Sequence, residues 1–159
     1  HSHQVGVVAE VRGGGVGLAL KLAQRDLCLS EGVTEMRWTF DPLLWTNARF
    51  NLVRLGAHVV EFLPHCYGDR RDAFNTGDTT DRVEVSWHLD HAVGGSLVVP
   101  GADESVIEVP LAYHSLRNTD RSAADEARRR VGESLNSLFA AGGSVAGLCD
   151  TGYVVRKGR

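Results

Sequence analysis

The chain has 159 residues, of which 43% are hydrophobic and 23% are charged, a composition typical of one globular domain. Its formal net charge of -3 argues against non-specific nucleic-acid binding, which needs a strongly basic surface. No apolar run reaches the roughly 18 residues that span a bilayer, and the three cysteines form no CxxC pair. We therefore expect a cytoplasmic protein with no membrane contact, no zinc site and no disulfide framework.

The first half of the chain alternates strand and helix patterns. Residues 5–11 form a β-branched run that predicts a strand. A glycine-rich stretch then opens a helix to about Glu31, because Ala19, Leu20, Ala23 and Leu27 recur at helical spacing. Strands are predicted next at 35–40, 57–63 and 82–89, with a helix at 45–55 and a long loop at 64–81.

The second half begins with residues 90–104, whose Gly94-Gly95 and Pro100-Gly101 pairs predict a linker. A strand is predicted at 106–111 and two short strands within 145–155. Between them, Ser122 and Asp125 suggest a capping box for a helix that ends at Gly142-Gly143. Its apolar face is Ala124, Ala127, Val131, Leu135 and Leu138. Alternating strands and helices predict an α/β or α+β sheet protein.

The glycine-rich stretch 12–17 connects the first strand to the first helix. Glycines let a backbone approach an anion closely, and a helix start offers unpaired N–H groups to a phosphate. The P-loop pattern fails because Leu18 follows Gly17, and the dinucleotide pattern fails because its last position is Leu18 or Leu20. What remains is Arg-x-x-Gly-x-Gly, at Arg12, Gly15 and Gly17. The alternative to phosphate binding is a glycine turn that serves only tight packing of the helix against the strand.

This pattern resembles the pyrophosphate loop of GNAT superfamily N-acetyltransferases. In that family a helix, a strand, a second helix and two strands follow the loop, which is the order predicted here. The second helix commonly ends in a Leu-Gly-aromatic turn, and residues 47–57 are similar to it. Residues 38–43, with Tyr67-Gly68 and Asp81-Arg82, resemble a poorly characterised bacterial branch. The resemblance covers roughly the first 90 residues.

The resemblance implies a GNAT-like mixed, mainly antiparallel sheet flanked by helices. Residues 1–90 would form the acyl-CoA-binding core, 91–104 a linker, and 105–159 a C-terminal strand-helix-strand extension. Acetyl-CoA would be the co-substrate, with its pantetheine arm between the strands at 5–8 and 37–40. Asn47 would contact that arm, or serve only as a helix N-cap. The implied binding residues are Val5, Val7, Arg12, Gly13, Gly14, Gly15, Val16, Gly17, Leu18 and Asn47.

Amine acetylation needs a path for the ammonium proton and a proton for the thiolate. His1 and His3 are two residues apart, so they share one face of a strand. A His-x-His pair at this distance before the loop resembles the pair that lines a water-filled proton path in the arylalkylamine branch of the family. A frayed end or a cloning remnant is the alternative, and with no third ligand evident we predict no metal. The general acid of the family is usually a tyrosine in the second helix. Leu52 stands at that position here, so the chain departs from the family pattern.

Tyr67 is the preferred substitute for that acid, with His65 and Cys66 beside it; ordinary loop residues are the alternative. Asp41 could attract a cationic amine, or could be a turn residue before Pro42. The expected function is acetyl transfer to a small-molecule or peptide amine by direct attack. A non-catalytic acyl-CoA-binding or interaction module and a nucleotide-binding regulator are the alternatives.

The strand at 5–11 would be central in a GNAT fold, yet no strand precedes it in this sequence. An unpaired central strand exposes backbone groups and associates readily. We therefore expect its edge to be covered by a preceding segment of a longer protein, by a second copy in a homodimer, or by the C-terminal strands.

Overall fold

The computed structural model describes residues 13–68 and 80–158, and these contain both helices and strands. In chain order they are α1 (Val16–Ser30), β1 (Glu35–Phe40), α2 (Trp45–Ala48) continuing as a π-helical turn (Arg49–Arg54), β2 (His58–Leu63), β3 (Arg82–His88), β4 (Glu104–Glu108), α3 (Tyr113–Thr119), α4 (Arg121–Ala140), β5 (Ser144–Leu148) and β6 (Gly152–Arg156). The predicted α+β class is confirmed.

The first sheet has the strand order β1-β3-β2, and both pairings are antiparallel. Side chains alternate between its faces: Met36, Trp38 and Phe40 of β1 are buried, whereas Glu35 and Arg37 are exposed. One face therefore packs on the core and the other presents polar side chains.

The second sheet has the order β4-β6-β5, again antiparallel. Gly152 begins β6, and a Cβ atom there would collide with the backbone carbonyl of Ile107 on β4. Only glycine permits this approach of the two strands.

A single hydrophobic cluster contains side chains from both sheets and from α4. From α4 it takes Ala124, Ala127, Val131, Leu135 and Leu138, which are the residues of the predicted apolar face. The buried hydroxyl of Tyr153 on β6 donates a hydrogen bond of 2.8 Å to the carbonyl of Pro42, just after β1. The two sheets are thus joined by shared apolar packing and by a buried polar contact.

The apolar residues that predicted α1 lie on its outer side. Leu20 and Leu27 are 47% and 61% exposed, whereas Lys21 is only 4% exposed. The guanidinium group of Arg25 donates a hydrogen bond of 2.6 Å to the carbonyl of Leu89, just after β3. Periodicity correctly indicated a helix, but its inner side carries Leu18, Cys28 and Leu29, which pack against the core, together with Lys21 and Arg25.

Two predicted features of the second half are wrong in detail. The N-cap of α4 is Asp120, whose carboxylate accepts a hydrogen bond of 3.0 Å from the N–H of Ala123, and Ser122 lies inside the first turn. The strand predicted at 106–111 runs instead from Glu104 to Glu108, before Pro110, which has no N–H to donate. The short helix α3 was not predicted.

In the part of the chain that the structure describes, no helix has both the length and the apolar character needed to cross a membrane.

Candidate functional site

The glycine loop forms a turn that leads directly into α1. Gly13 and Gly15 both have φ of 82°, a left-handed conformation that glycine adopts without strain. Gly15 is the N-cap of α1, no side chain of the described residues caps the helix, and its first turn contains no acidic residue. The loop residues Gly13, Gly14 and Gly15 are exposed, so none of the residues that the structure describes covers the loop.

The first backbone N–H groups of α1 have no acceptor among the described residues. The first hydrogen bond of the helix runs from the N–H of Ala19 to the carbonyl of Gly15 at 3.0 Å. The N–H groups of Val16, Gly17 and Leu18 come before it in the chain, so they have no acceptor within the helix. They lie at the positive end of the helix dipole. This arrangement is suited to an anion such as a phosphate.

Contacts of α1 show which end of the sheet the glycine loop occupies. Arg25 contacts Leu89, which pairs with Thr34 at the beginning of β1. Lys21, one turn earlier in α1, contacts Met36 and Trp38 farther along β1. The helix therefore runs antiparallel to β1. A helix of 15 residues is about 22 Å long, so the glycine loop lies towards the end of β1.

Tyr67 also lies at the end of β1. Its hydroxyl is 2.8 Å from the hydroxyl of Thr39, and either group can be the donor. The guanidinium carbon of Arg82 is 5.3 Å from the centre of its ring, and the N–H of Tyr67 bonds to the hydroxyl of Thr80. The Tyr67 side chain is 43% exposed, so its hydroxyl is held in position at an accessible surface.

The other predicted residues of this region have different environments. Asn47 is exposed in α2; the N-cap of that helix is Leu44, so Asn47 does not cap it. Leu52, which aligns with the family's tyrosine, is buried in the core. Cys66 is half-buried, and its N–H bonds to the carbonyl of Thr80. His1, His3, Val5, Val7 and Arg12 lie outside the described residues.

Asp41 is paired with an internal cation, and it forms part of the turn after β1. Its side chain is only 14% exposed and accepts a hydrogen bond of 2.6 Å from Arg128 of α4. Its second oxygen accepts one from the N–H of Leu43. The guanidinium group of Arg128 also donates to the hydroxyl of Tyr113 at 3.0 Å. Asp41 thus helps to hold the turn after β1 and joins β1 to α4.

Sequence reasoning missed Arg128, although its position contained a signal. Arg128 follows Ala127 and precedes Val131 by three residues, so it borders the apolar stripe of α4. A charged residue there must be paired if it is buried. Burial opposes its charge, but Asp41 and Tyr113 outweigh burial and raise the pKa of Arg128.

A row of three imidazole rings crosses the polar face of the first sheet. The rings of His58 and His88 are stacked with centres 5.3 Å apart, and His91 lies 5.0 Å from His88. Burial, followed by the neighbouring His88, lowers the pKa of His58. The lone pairs that bind a metal lie in the ring planes, and stacked rings do not direct them to one point. Among the described residues no three His, Cys, Asp or Glu side chains are placed to hold a metal ion.

Of the predicted site residues, the glycine loop and Tyr67 both lie towards the end of β1, but they are associated with different faces of the sheet. Helix α1 contacts Met36 and Trp38 on the buried face, whereas Tyr67 bonds to Thr39 on the polar face. The structure removes Asp41 from the accessible surface, and it leaves Asn47 exposed in α2. Comparisons with protein-family models, with curated proteins and with solved structures found no match to this chain. Its function is therefore inferred from the glycine loop and the side chains around it.

Proposed function

We propose that this chain is an acyl-CoA-dependent N-acyltransferase that transfers acetyl from acetyl-CoA to an amine by direct attack. The observation that carries the proposal is the uncapped start of α1 after two left-handed glycines. Its N–H groups and its exposed backbone suit the pyrophosphate of coenzyme A. The order of elements from α1 to β3 also agrees with the order that the GNAT resemblance implies.

The hydroxyl pair of Thr39 and Tyr67 is the candidate proton donor near the end of β1, on the face opposite the Met36 and Trp38 side chains that α1 contacts. In the proposed reaction the neutral amine attacks the thioester carbonyl, a C–N bond forms and the C–S bond breaks. The electron pair of that bond goes to sulfur, and Tyr67 donates a proton to it. His3 would take the proton that the amine loses, either directly or through water.

A non-catalytic acyl-CoA-binding module is the second candidate. It is favoured by Leu52, which stands at the position of the family's acidic tyrosine and is buried in the core. This candidate shares the binding site with the transferase, and it differs in releasing no coenzyme A when amines are added.

Calorimetric titration with acetyl-CoA tests the binding site, with Gly15→Val as the decisive variant. A β-branched residue strains a left-handed backbone position, so the loop must change shape and affinity should fall at least tenfold. Gly32→Val is the matched control, because Gly32 has φ of 76° at the other end of α1 and also has no neighbouring atom within 4 Å of a Cβ.

Both variants impose similar strain on one helix, and only Gly15→Val alters the loop. Equal affinity of Gly15→Val and wild type for acetyl-CoA would remove the glycine loop as the binding site. Equal weakening by Gly32→Val would mean that the effect is general destabilisation. A thermal-shift comparison of acetyl-CoA, ATP and NAD on the wild type identifies the preferred ligand class.

Release of free thiol in the presence of candidate amines separates the transferase from the binding module. Tyr67→Phe retains the ring over which Arg82 lies but removes the hydroxyl, and it should lower turnover with little change in acetyl-CoA affinity. His3→Ala should lower turnover and shift the pH–rate profile. Wild-type rates for both variants would exclude these residues, and the absence of thiol release with bound acetyl-CoA would favour the module.

A further inference from the structure

A cleft of about 420 Å³ lies between α4 and the turn that follows β2. One wall is the exposed side of α4 from Asp125 to Asn136, and the opposite wall contains Phe62, His65 and Asp81. None of the glycine-loop residues lines this cleft. It is therefore a second candidate site, with its own lining and its own charge.

The floor of the cleft depends on a glycine inside a helix. Gly132 lies in the middle of α4, where glycine is disfavoured because it weakens helices. A Cβ atom at this position would lie 3.3 Å from a carboxylate oxygen of Asp81 and 3.8 Å from the ring of Phe62. The missing side chain lets the carboxylate of Asp81 approach the helix closely, while Phe62 lies at an ordinary contact distance, so the floor combines an aromatic edge with bare backbone.

Among the described residues, the cleft and its immediate surroundings carry more acidic than basic groups. Its lining contains Asp81, Asp125 and Glu133 with Arg128 and Arg129. Each arginine is already bound by carboxylates: Arg128 by Asp41, and Arg129 by Glu126 and Glu133. Asp125 is paired in turn with Arg121. With Asp41, Glu126 and Arg121 included, five carboxylates stand against three guanidinium groups among the described residues, so a positively charged guest is favoured over an anion.

Two polar groups at the rim are free to contact a guest. Neither the imidazole ring of His65 nor the side-chain amide of Asn136 has a hydrogen-bond partner among the described residues. His65 also has φ of 49°, the one positive value among described residues other than glycine. Its N–H donates to Asp81 at 3.0 Å, and this bond holds the strained turn in place beside the cleft.

We propose that this cleft binds a small organic cation with a flat apolar body. The body would lie over Gly132 and against Phe62, and the cationic group would face the carboxylates of Glu133 and Asp125. Both carboxylates are at the rim, where each has one oxygen without a partner among the described residues. This site is independent of acyl-CoA binding at the glycine loop.

Three probes of equal shape test the charge preference: benzamidine, benzamide and benzoate, which are cationic, neutral and anionic. They are titrated into the full chain, and backbone and side-chain amide shifts are followed by NMR. We expect saturable shifts at Asn136, Gly132 and His65 with benzamidine, and at least fivefold weaker binding of benzamide. Tighter binding of benzoate, or shifts spread over the surface without saturation, would overturn the proposal.

Glu133→Gln and Glu126→Gln form a matched pair on α4. Both residues are exposed partners of Arg129 and both variants remove one negative charge, but only Glu133 lines the cleft. Glu133→Gln should weaken benzamidine binding at least fivefold, and Glu126→Gln less than twofold. Equal effects of the two variants would show that benzamidine responds to general surface charge, and the site would be rejected.

Discussion

The buried cations Lys21 and Arg128 are stabilised in different ways. Arg128 has a carboxylate and a phenol as partners. The ammonium group of Lys21 lies 4.0 Å from the centre of the Trp38 ring and 3.9 Å from the sulfur of Met36. Burial lowers the pKa of Lys21 to about 8, because the aromatic face, the thioether and a long hydrogen bond of 3.4 Å to the Gln24 side chain replace water only in part.

Arg128→Met should destabilise the protein by about 3 kcal/mol, because it leaves the carboxylate of Asp41 buried without its cation. Urea unfolding at pH 7 measures the loss. Arg129→Met is the control, since Arg129 makes equally short ion pairs that are exposed, and it should have little effect. Equal losses in the two variants would mean that the buried pair contributes nothing beyond surface attraction.

Lys21 should make the free energy of unfolding rise with pH between about 8 and 10.5. In this window the folded lysine has released its proton, while the unfolded lysine, with its ordinary pKa of 10.5, still holds it. The unfolded state then binds more protons, so stability increases with pH. Below pH 8 both states are protonated and this dependence disappears.

Urea unfolding of the wild type and of Lys21→Met at pH 7, 8, 9 and 10 checks this sign. The difference between the two proteins isolates Lys21 from the other titrating groups. We expect the wild type to gain stability relative to the variant above pH 8. A constant difference across the series would mean that the pKa of Lys21 is not lowered by folding.

Among the elements, the start of α4 distinguishes two capping arrangements that the sequence allows. Asp120→Ala should cost about 1 kcal/mol, because the N–H of Ala123 loses its acceptor. Ser122→Ala should be neutral or slightly stabilising, since Ser122 is exposed inside the helix and alanine is the better helix former. Urea unfolding of both variants checks this; a larger loss for Ser122→Ala would restore the capping box predicted from sequence.

The predictability of an element followed the strength of its local pattern. The strand at 35–40 was predicted with the bounds that the structure has, because apolar and polar residues alternate between two sharp turns. The strand at 82–89 was one residue too long. The short helix α3 was missed, since its seven residues give fewer than two turns of periodicity. Its helical state depends instead on Tyr113, which is buried against Arg128.

For the whole molecule, the shared core predicts a single cooperative unfolding transition. Tryptophan fluorescence reports mainly on the first sheet through Trp38 and Trp87, whose ring centres are 6.2 Å apart, with a further contribution from Trp45 in α2. Far-UV circular dichroism reports chiefly on the helices. Both signals should show the same midpoint in urea. Leu135→Ala in α4, at a fully buried position, should lower both midpoints together by a loss of about 2–5 kcal/mol.

Two separate midpoints would contradict a shared core, as would a Leu135→Ala variant in which only the dichroism signal shifts.

The segment at 90–104, which the sequence predicts to be a linker, also bears on whether the chain unfolds as one unit. Within it, the N–H of Val98 donates to the carbonyl of Leu148 at 2.7 Å, and Gly94 and Gly95 bond to the end of the π-helical turn. These bonds attach the segment to structure on both sides of it, in agreement with one unfolding unit.

The sequence by itself determined the α+β class, most of the elements and the glycine turn, because these depend on side-chain periodicity and on backbone freedom within a few residues. The tertiary structure alone decided that Asp41 pairs with Arg128, 87 residues away, that Tyr67 meets Thr39, and that α1 turns Lys21 inward. Such contacts join distant positions, and no local pattern encodes them. The cleft at Gly132 has the same origin, since its two walls come from separate parts of the chain and meet only when α4 packs beside β2.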